Sequence, residues 1–182
     1  MIAVIVNGLP GSGKTSLAPR LSVALGLPLF CKDAIKETMA DTIGVTPLGD
    51  YDPPAWNQEL GAAANEIIWT LLGQAPAGAV VETPYLAHVR HFVVAGLARA
   101  GVADHDVHEV WCDVAAEVAR TRYDARVATR HPIHCDDRDK SAEWAFWLTI
   151  ARPLAIGAVH RVDTSAPVPD AVIAALATTI LG

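Results

Sequence analysis

The segment Gly8-Leu-Pro-Gly-Ser-Gly-Lys-Thr15 constrains the fold more than any other stretch of the chain. It matches the pattern G-x-x-x-x-G-K-[ST] and is followed by Ser16. Glycines let backbone N–H groups curl round phosphate oxygens with no Cβ in the way. A helix beginning near Gly13 and Lys14 would point the positive end of its dipole at the anion. Lys14, expected to be exposed at this loop–helix junction, reaches β- and γ-phosphates, and the Thr15 hydroxyl is placed to ligate Mg²⁺. Gly8, Pro10, Gly11, Ser12, Gly13, Lys14, Thr15 and Ser16 are therefore the candidate nucleotide-binding residues, with Thr15 the candidate metal ligand. The loop needs a buried strand before it. Ile2–Val6 is wholly apolar and β-rich, as in a parallel sheet covered on both faces.

Similar runs recur at Pro28–Cys31, Gly78–Val81 and Val107–Cys112, with a weaker one at Ala158–Val162. Helical stripes lie between them: Leu17, Leu21, Leu25; Trp56, Leu60, Ala63, Ile67, Leu71; Val89, Val93, Gly96, Ala100; and Val172, Leu176, Ile180 after Asp170 as N-cap. Strands alternating with helices imply right-handed crossovers, a parallel sheet of about five strands and an α/β/α sandwich. Ligands bind such sheets at the carboxyl edge of the strands. Gly44–Pro54, the longest loop, is expected near that edge.

The chain length of 182 residues suits one domain, spanning 1–182. With 14 Lys+Arg against 20 Asp+Glu, the net charge of -6 disfavours a nucleic-acid partner, which needs a basic footprint. No apolar run reaches the ~18 residues of a membrane span, and the start has no basic segment of a secretory signal. Cys31, Cys112 and Cys135 are scattered and odd in number, which fits reduced thiols and a cytoplasmic protein. His131, His134 and Cys135 lie close together but lack the second ligand pair that zinc usually takes, so a turn is the better reading.

The run VNGLPGSGKTSLAPRLSVALGLPLFCKDAIKE, with Asp33 at the end of strand two, Glu82 at the end of strand three, the segment VARTRYDARVATRHPIH and the late turn Val162–Ser165, resembles small P-loop kinases of the nucleoside-monophosphate-kinase superfamily. It resembles most the AAA_33-type ATP-binding proteins, whose relatives include chloramphenicol phosphotransferase, zeta toxins, and gluconate and shikimate kinases. The resemblance implies strand order 2-3-1-4-5, ATP and Mg²⁺ as ligands, and an arginine-rich lid over about 118–140.

Asp33 is placed to accept the proton of an attacking hydroxyl, or to cap the helix Ala34–Ile43. Glu82 is placed to hold a Mg²⁺-bound water or substrate. Arg122, Arg126 and Arg130 fall at i, i+4 and i+8, one helical face, where like charges call for an anion or for partners such as Glu117 and Asp124. The resemblance implies that Arg122 stacks on adenine, that Arg126 and Arg130 neutralise the transferring phosphoryl, and that Thr164 passes beside the adenine. Tyr85 and Trp56 are expected to line the acceptor pocket, and Trp144 and Trp147 to pack a core or lid.

These residues point to an ATP-dependent kinase acting on the hydroxyl of an unidentified small molecule, as a monomer or homodimer. The alternative is a nucleotide-binding switch or NTP hydrolase with no acceptor. A guanine-reading N-K-x-D and an L-S-G-G-Q signature are both missing from the sequence. Residues 34–75 hold no arginine and only Lys36, which disfavours a nucleoside monophosphate and favours a neutral or cationic acceptor.

Overall fold

The computed structural model describes residues 1–134 and 139–182. In chain order the elements are β1 (Ile2–Asn7), α1 (Lys14–Leu25), β2 (Leu29–Cys31), α2 (Lys32–Ile43), α3 (Pro53–Gly73), β3 (Gly78–Glu82), α4 (Arg90–Ala100), β4 (Val107–Asp113), α5 (Ala116–Asp124), α6 (Ser141–Ile150), β5 (Ala158–Asp163) and α7 (Asp170–Leu181). The sheet has five strands in the order β2-β3-β1-β4-β5, and every pairing is parallel. All five predicted strands are present, and so is the implied order.

The central strand shows why its sequence is apolar throughout. Val4 and Val6 join Leu17 and Leu21 of α1 and Ile173 and Ala177 of α7 in one core layer. Ala3 and Ile5 face the other way, against Ile68 and Leu72 of α3 and Val93 and Leu97 of α4. Alternate side chains of a strand point to opposite faces, so burial on both faces leaves no polar position. Gly96 lets α4 close on α3, since a Cβ there would stand 2.3 Å from the Trp69 ring.

Two helical stripes are corrected. On α3 the buried line is Trp56, Leu60, Ala64, Ile68 and Leu72, and Ile67 is exposed. The helix is apolar on several sides there, so spacing alone permits more than one stripe, and contact with the sheet selects one. On α7 the buried face is Ile173, Leu176, Ala177 and Ile180, whereas Val172 is 42% exposed. Asp170 does not cap α7. It is the first helical residue, behind Pro169, and its carboxylate accepts from Arg20 on α1 at 2.6 Å.

The loop between α2 and α3 also departs from expectation. None of its residues lines the ligand cleft; it folds back on α3, with Trp56 donating to the Gly44 carbonyl at 3.2 Å. No helix among the described residues is long and apolar enough to cross a membrane.

Candidate active site

The carboxyl ends of the strands open into a cleft of about 1410 Å³. One wall is the loop between β1 and α1. Lys14 is only 6% exposed, and its ammonium donates to the carbonyls of Gly8 (3.1 Å) and Leu9 (2.8 Å). It is thus buried rather than exposed as expected. Burial lowers its pKa, and Glu82 opposes that shift. Gly11 has φ +80°, and a Cβ there would stand 2.1 Å from the Ala119 carbonyl oxygen. Only glycine lets the loop pack against α5. Pro10, Gly11, Gly13, Lys14, Thr15 and Ser16 line the cleft, whereas Gly8 and Ser12 lie buried beneath it.

This loop fits a polyphosphate. The first N–H groups of α1 have no intrahelical acceptor, and the buried Ser12 hydroxyl lacks an oxygen or nitrogen partner. The residues suited to a magnesium ion are Thr15 and Glu82, whose Oγ1 and Oε1 stand 3.4 Å apart, both hard oxygen donors. Glu82 is buried and its other oxygen accepts from the Cys31 thiol at 2.8 Å. Burial and Glu82 push that thiol up to about 12, so Cys31 stays protonated. The described cysteines, Cys31 and Cys112, are free thiols; Cys135 lies outside the described residues.

Asp33 also lines the cleft. It sits in the first turn of α2, which starts at Lys32, so it neither ends the strand nor caps the helix. Its side chain is 44% exposed and meets Arg130 at 3.5 Å. Burial alone would raise its carboxyl, but Lys36, with His134, Arg130 and Lys32, outweighs burial and holds it below the usual range. The Lys36 ammonium contacts Asn57 Oδ1 (2.9 Å) and His134 Nδ1 (2.9 Å), and His134 Nε2 meets Glu37 at 2.7 Å.

The arginines do not share one helical face. Helix α5 ends at Asp124, and a short 3₁₀ turn follows at Val127–Thr129. The chain bend nevertheless returns Arg122, Arg126 and Arg130 to the cleft. Arg122 donates to the carbonyls of Thr164 (2.8 Å) and Ser165 (2.5 Å), tying α5 to the turn after β5. Arg126 donates to the Arg122 carbonyl at 3.3 Å, and Arg130 lies over the Tyr123 ring at 5.4 Å. Thr164 lines the cleft with its N–H bonded to the Asp113 carbonyl at 2.9 Å.

Tyr85 lines the cleft, stacks on Trp69 with centroids 5.8 Å apart, and donates to Asn65 Oδ1 at 2.8 Å. Trp56 does not line it: at 7% exposure it packs with Ala40, Leu60 and Ile133, because its position on α3 faces α2. Trp144 is buried against Tyr123 and Trp111, while Trp147 also borders the cleft.

Sequence reasoning missed a buried polar node beneath the loop. Asn7 Oδ1 accepts from the Gly8 N–H (2.8 Å), and its amide donates to the Tyr85 carbonyl (2.6 Å) and to Glu109 (2.7 Å). Glu109, fully buried on β4, also accepts from the N–H groups of Leu154 (2.9 Å) and Ala155 (3.0 Å). Ala155 has φ 50°, the left-handed region that a non-glycine residue rarely adopts. The signal available in sequence was the polar residue at each strand position, Asn7 and Glu109, in otherwise apolar runs.

Residues 4–144 match the AAA_33 family, an AAA domain. The chain belongs to that family. Among solved structures it is similar to a candidate kinase from Chloroflexus aurantiacus, with 27% identity, TM-score 0.77, and coverage of 100% of this chain and 98% of that one. It also resembles in fold a gluconokinase from Sinorhizobium meliloti (23% identity, TM-score 0.56, coverage 99% and 91%). A shikimate kinase from Acinetobacter baumannii, solved with shikimate, is likewise similar (16% identity, TM-score 0.56, coverage 100% and 91%). No curated protein matches the sequence. The chain is thus a P-loop protein whose structural neighbours include small kinases, a gluconokinase and a shikimate kinase among them.

Proposed function

We propose that this protein is an ATP-dependent kinase that moves the γ-phosphoryl of Mg·ATP to a hydroxyl of a small molecule. The observation that carries this reading is that Lys14, from the glycine-rich loop, and Asp33, a solvent-reachable carboxylate, line one cleft. The first turn of α1 and Lys14 would bind the β- and γ-phosphates. Thr15 and Glu82 would hold the magnesium ion, which when bound neutralises phosphate charge. Thr164 would border the adenine. Arg122, used by backbone carbonyls here, would fix the adenine side by holding that turn, and Arg126 and Arg130 would neutralise the phosphoryl in flight.

In the transfer, the acceptor oxygen bonds to the γ-phosphorus, the bridging P–O bond breaks and ADP leaves. The hydroxyl proton passes to Asp33 and on to solvent. A carboxylate held ionised by Lys36 is a weak base. That suits a loose transition state, in which the proton departs late and positioning does most of the work. Glu82 and Tyr85 border the acceptor. The test is acceptor-dependent ADP release over a panel of nucleosides, sugars, sugar acids, aminoglycosides and phenicols. Slow ADP release unaffected by every compound would favour the switch or hydrolase reading.

A further inference from the structure

The proposed transfer leaves Lys32, a cation of the cleft, without a task. Lys32 opens α2 next to Asp33 and lines the cleft. Its ammonium makes no hydrogen bond or ion pair with any described residue, although other charges nearby are engaged. Lys36 is held by Asn57 and His134, Glu37 by His134, and Glu66 by Arg99 at 2.6 Å. The Lys32 side chain lies along Gly61 of α3, where an added Cβ would be 3.6 Å from Nζ. The absence of a side chain at Gly61 thus leaves room beside the ammonium.

The neutral groups on this wall point the same way. Asn57 Oδ1 is taken by Lys36 and Asn65 Oδ1 by Tyr85. Each amide oxygen thus already holds one donor, while each NH₂ group keeps its N–H donors for a ligand. With Lys32, the wall offers several donors, and its Asp33 carboxylate is shared with Arg130 at 3.5 Å. A desolvated ammonium without a contact partner is costly, and an anionic oxygen both relieves that cost and forms a charge-assisted bond.

Resting on the kinase reading, we propose that the acceptor is a small anionic polyol, whose carboxylate or phosphate oxygens are taken by Lys32 while a hydroxyl faces Asp33. The count over residues 34–75 pointed to a neutral or cationic acceptor because Lys32 precedes that segment. It also could not show that α3 brings the Asn57 and Asn65 amides to the wall, nor that the α3 carboxylate there, Glu66, is tied to Arg99.

The test uses the full chain as wild type, Lys32→Met and Lys32→Arg. Hydroxy carboxylates and sugar phosphates are each assayed beside the matching amide or parent sugar, by ADP release and by thermal stabilisation. The anionic member should exceed its neutral partner by at least ~10-fold in kcat/KM, the scale of one lost charge-assisted contact. Lys32→Met should erase that ratio chiefly through KM, Lys32→Arg should restore part of it, and stabilisation by Mg·ATP should be equal in all three. The arm that responds, carboxylate or phosphate, identifies the group. Neutral partners used equally well, a ratio that survives Lys32→Met, or an equal loss of Mg·ATP binding in that variant would each overturn the proposal. A wild type neither stabilised by Mg·ATP nor releasing ADP would sink the kinase reading instead. Anion recognition is then read from stabilisation by the same compounds, which wild type must show and Lys32→Met must lose.

Discussion

The two walls of the cleft are built by different means. The proposed phosphate wall is one contiguous segment, Gly8–Ser16, which would offer mostly backbone N–H groups, with one lysine folded back on its own loop. The proposed acceptor wall is assembled from side chains that α2, α3, the segment after β3 and the turns before α6 contribute from separate parts of the chain. The first kind of site is specified locally, because a short glycine-rich spacing dictates the backbone path. The second is specified by packing, so its chemistry depends on which face each helix turns inward.

The largest effect should follow from breaking the local wall. Lys14→Ala removes the cation that meets the phosphates and should lower kcat/KM by at least ~10³-fold. The same substitution deletes a desolvated ammonium bonded only to Gly8 and Leu9 carbonyls, so little core is lost. Thermal melts without nucleotide should agree within a few degrees, and stabilisation by saturating Mg·ATP should vanish. A variant still stabilised by Mg·ATP as strongly as wild type would remove Lys14 from the phosphate site.

On the packed wall, Asp33→Asn keeps shape and removes the proposed base. Transfer should fall by at least ~100-fold, about 2.7 kcal/mol of barrier, while ATP affinity stays within a few-fold. Near-normal transfer would eliminate the base role. A parallel loss of ATP binding would show that the two walls do not divide the work as described.

This division also explains what could be read from the sequence. The five strands, α1 and the phosphate loop were legible because β1 is apolar on both faces and the loop has fixed spacing. Asp33 and Tyr85 were placed at the cleft because both lie within a few residues of a strand end. Trp56 was not: on a helix with several apolar sides, a shift of one position turns a residue from the cleft toward α2. The arginine segment looked like one helical face, but the helix stops at Asp124, and the turn that follows returns the side chains by another path. Lys32, Asn57 and His134 acquire their roles only when α2, α3 and the Pro132–His134 turn meet.

Asn7 joins the two walls from beneath, so it sharpens the comparison. Asn7→Ala would leave the Gly8 N–H without its partner, release the Tyr85 carbonyl, and take from Glu109 Oε1 one of its two donors, the Leu154 N–H remaining. Each uncompensated buried group costs about 1–3 kcal/mol, and relaxation of the loop offsets part of this. Urea unfolding should report a loss in that range, with activity per folded molecule lowered for phosphate and acceptor alike. Unchanged stability would mean that the node is not under tension between the walls.

The last effect concerns charge stored on the proposed acceptor wall. Lys36 is lowered from the usual 10.5 to about 8, mainly by burial, with Asp33 pulling it back and Lys32 and Arg130 adding to the shift. Glu37 on its own helix, and Asn57 and His134 across from it, complete its surroundings. Below about 8 both the folded and the unfolded chain hold this proton, and the burial penalty is fully present. Between about 8 and 10.5 the unfolded chain holds more protons than the folded one, so stability rises with pH across that window. Lys14 and Lys32 are lowered as well and add to the same limb, so the Lys36 contribution is isolated by subtracting a Lys36→Met series. In urea unfolding at several pH values, the stability of wild type relative to Lys36→Met should climb through that window and then level off. A gap that stays constant, or falls as pH rises, would show that the ammonium is not penalised where it sits, and the acceptor wall would then carry no charge cost for an anionic ligand to relieve.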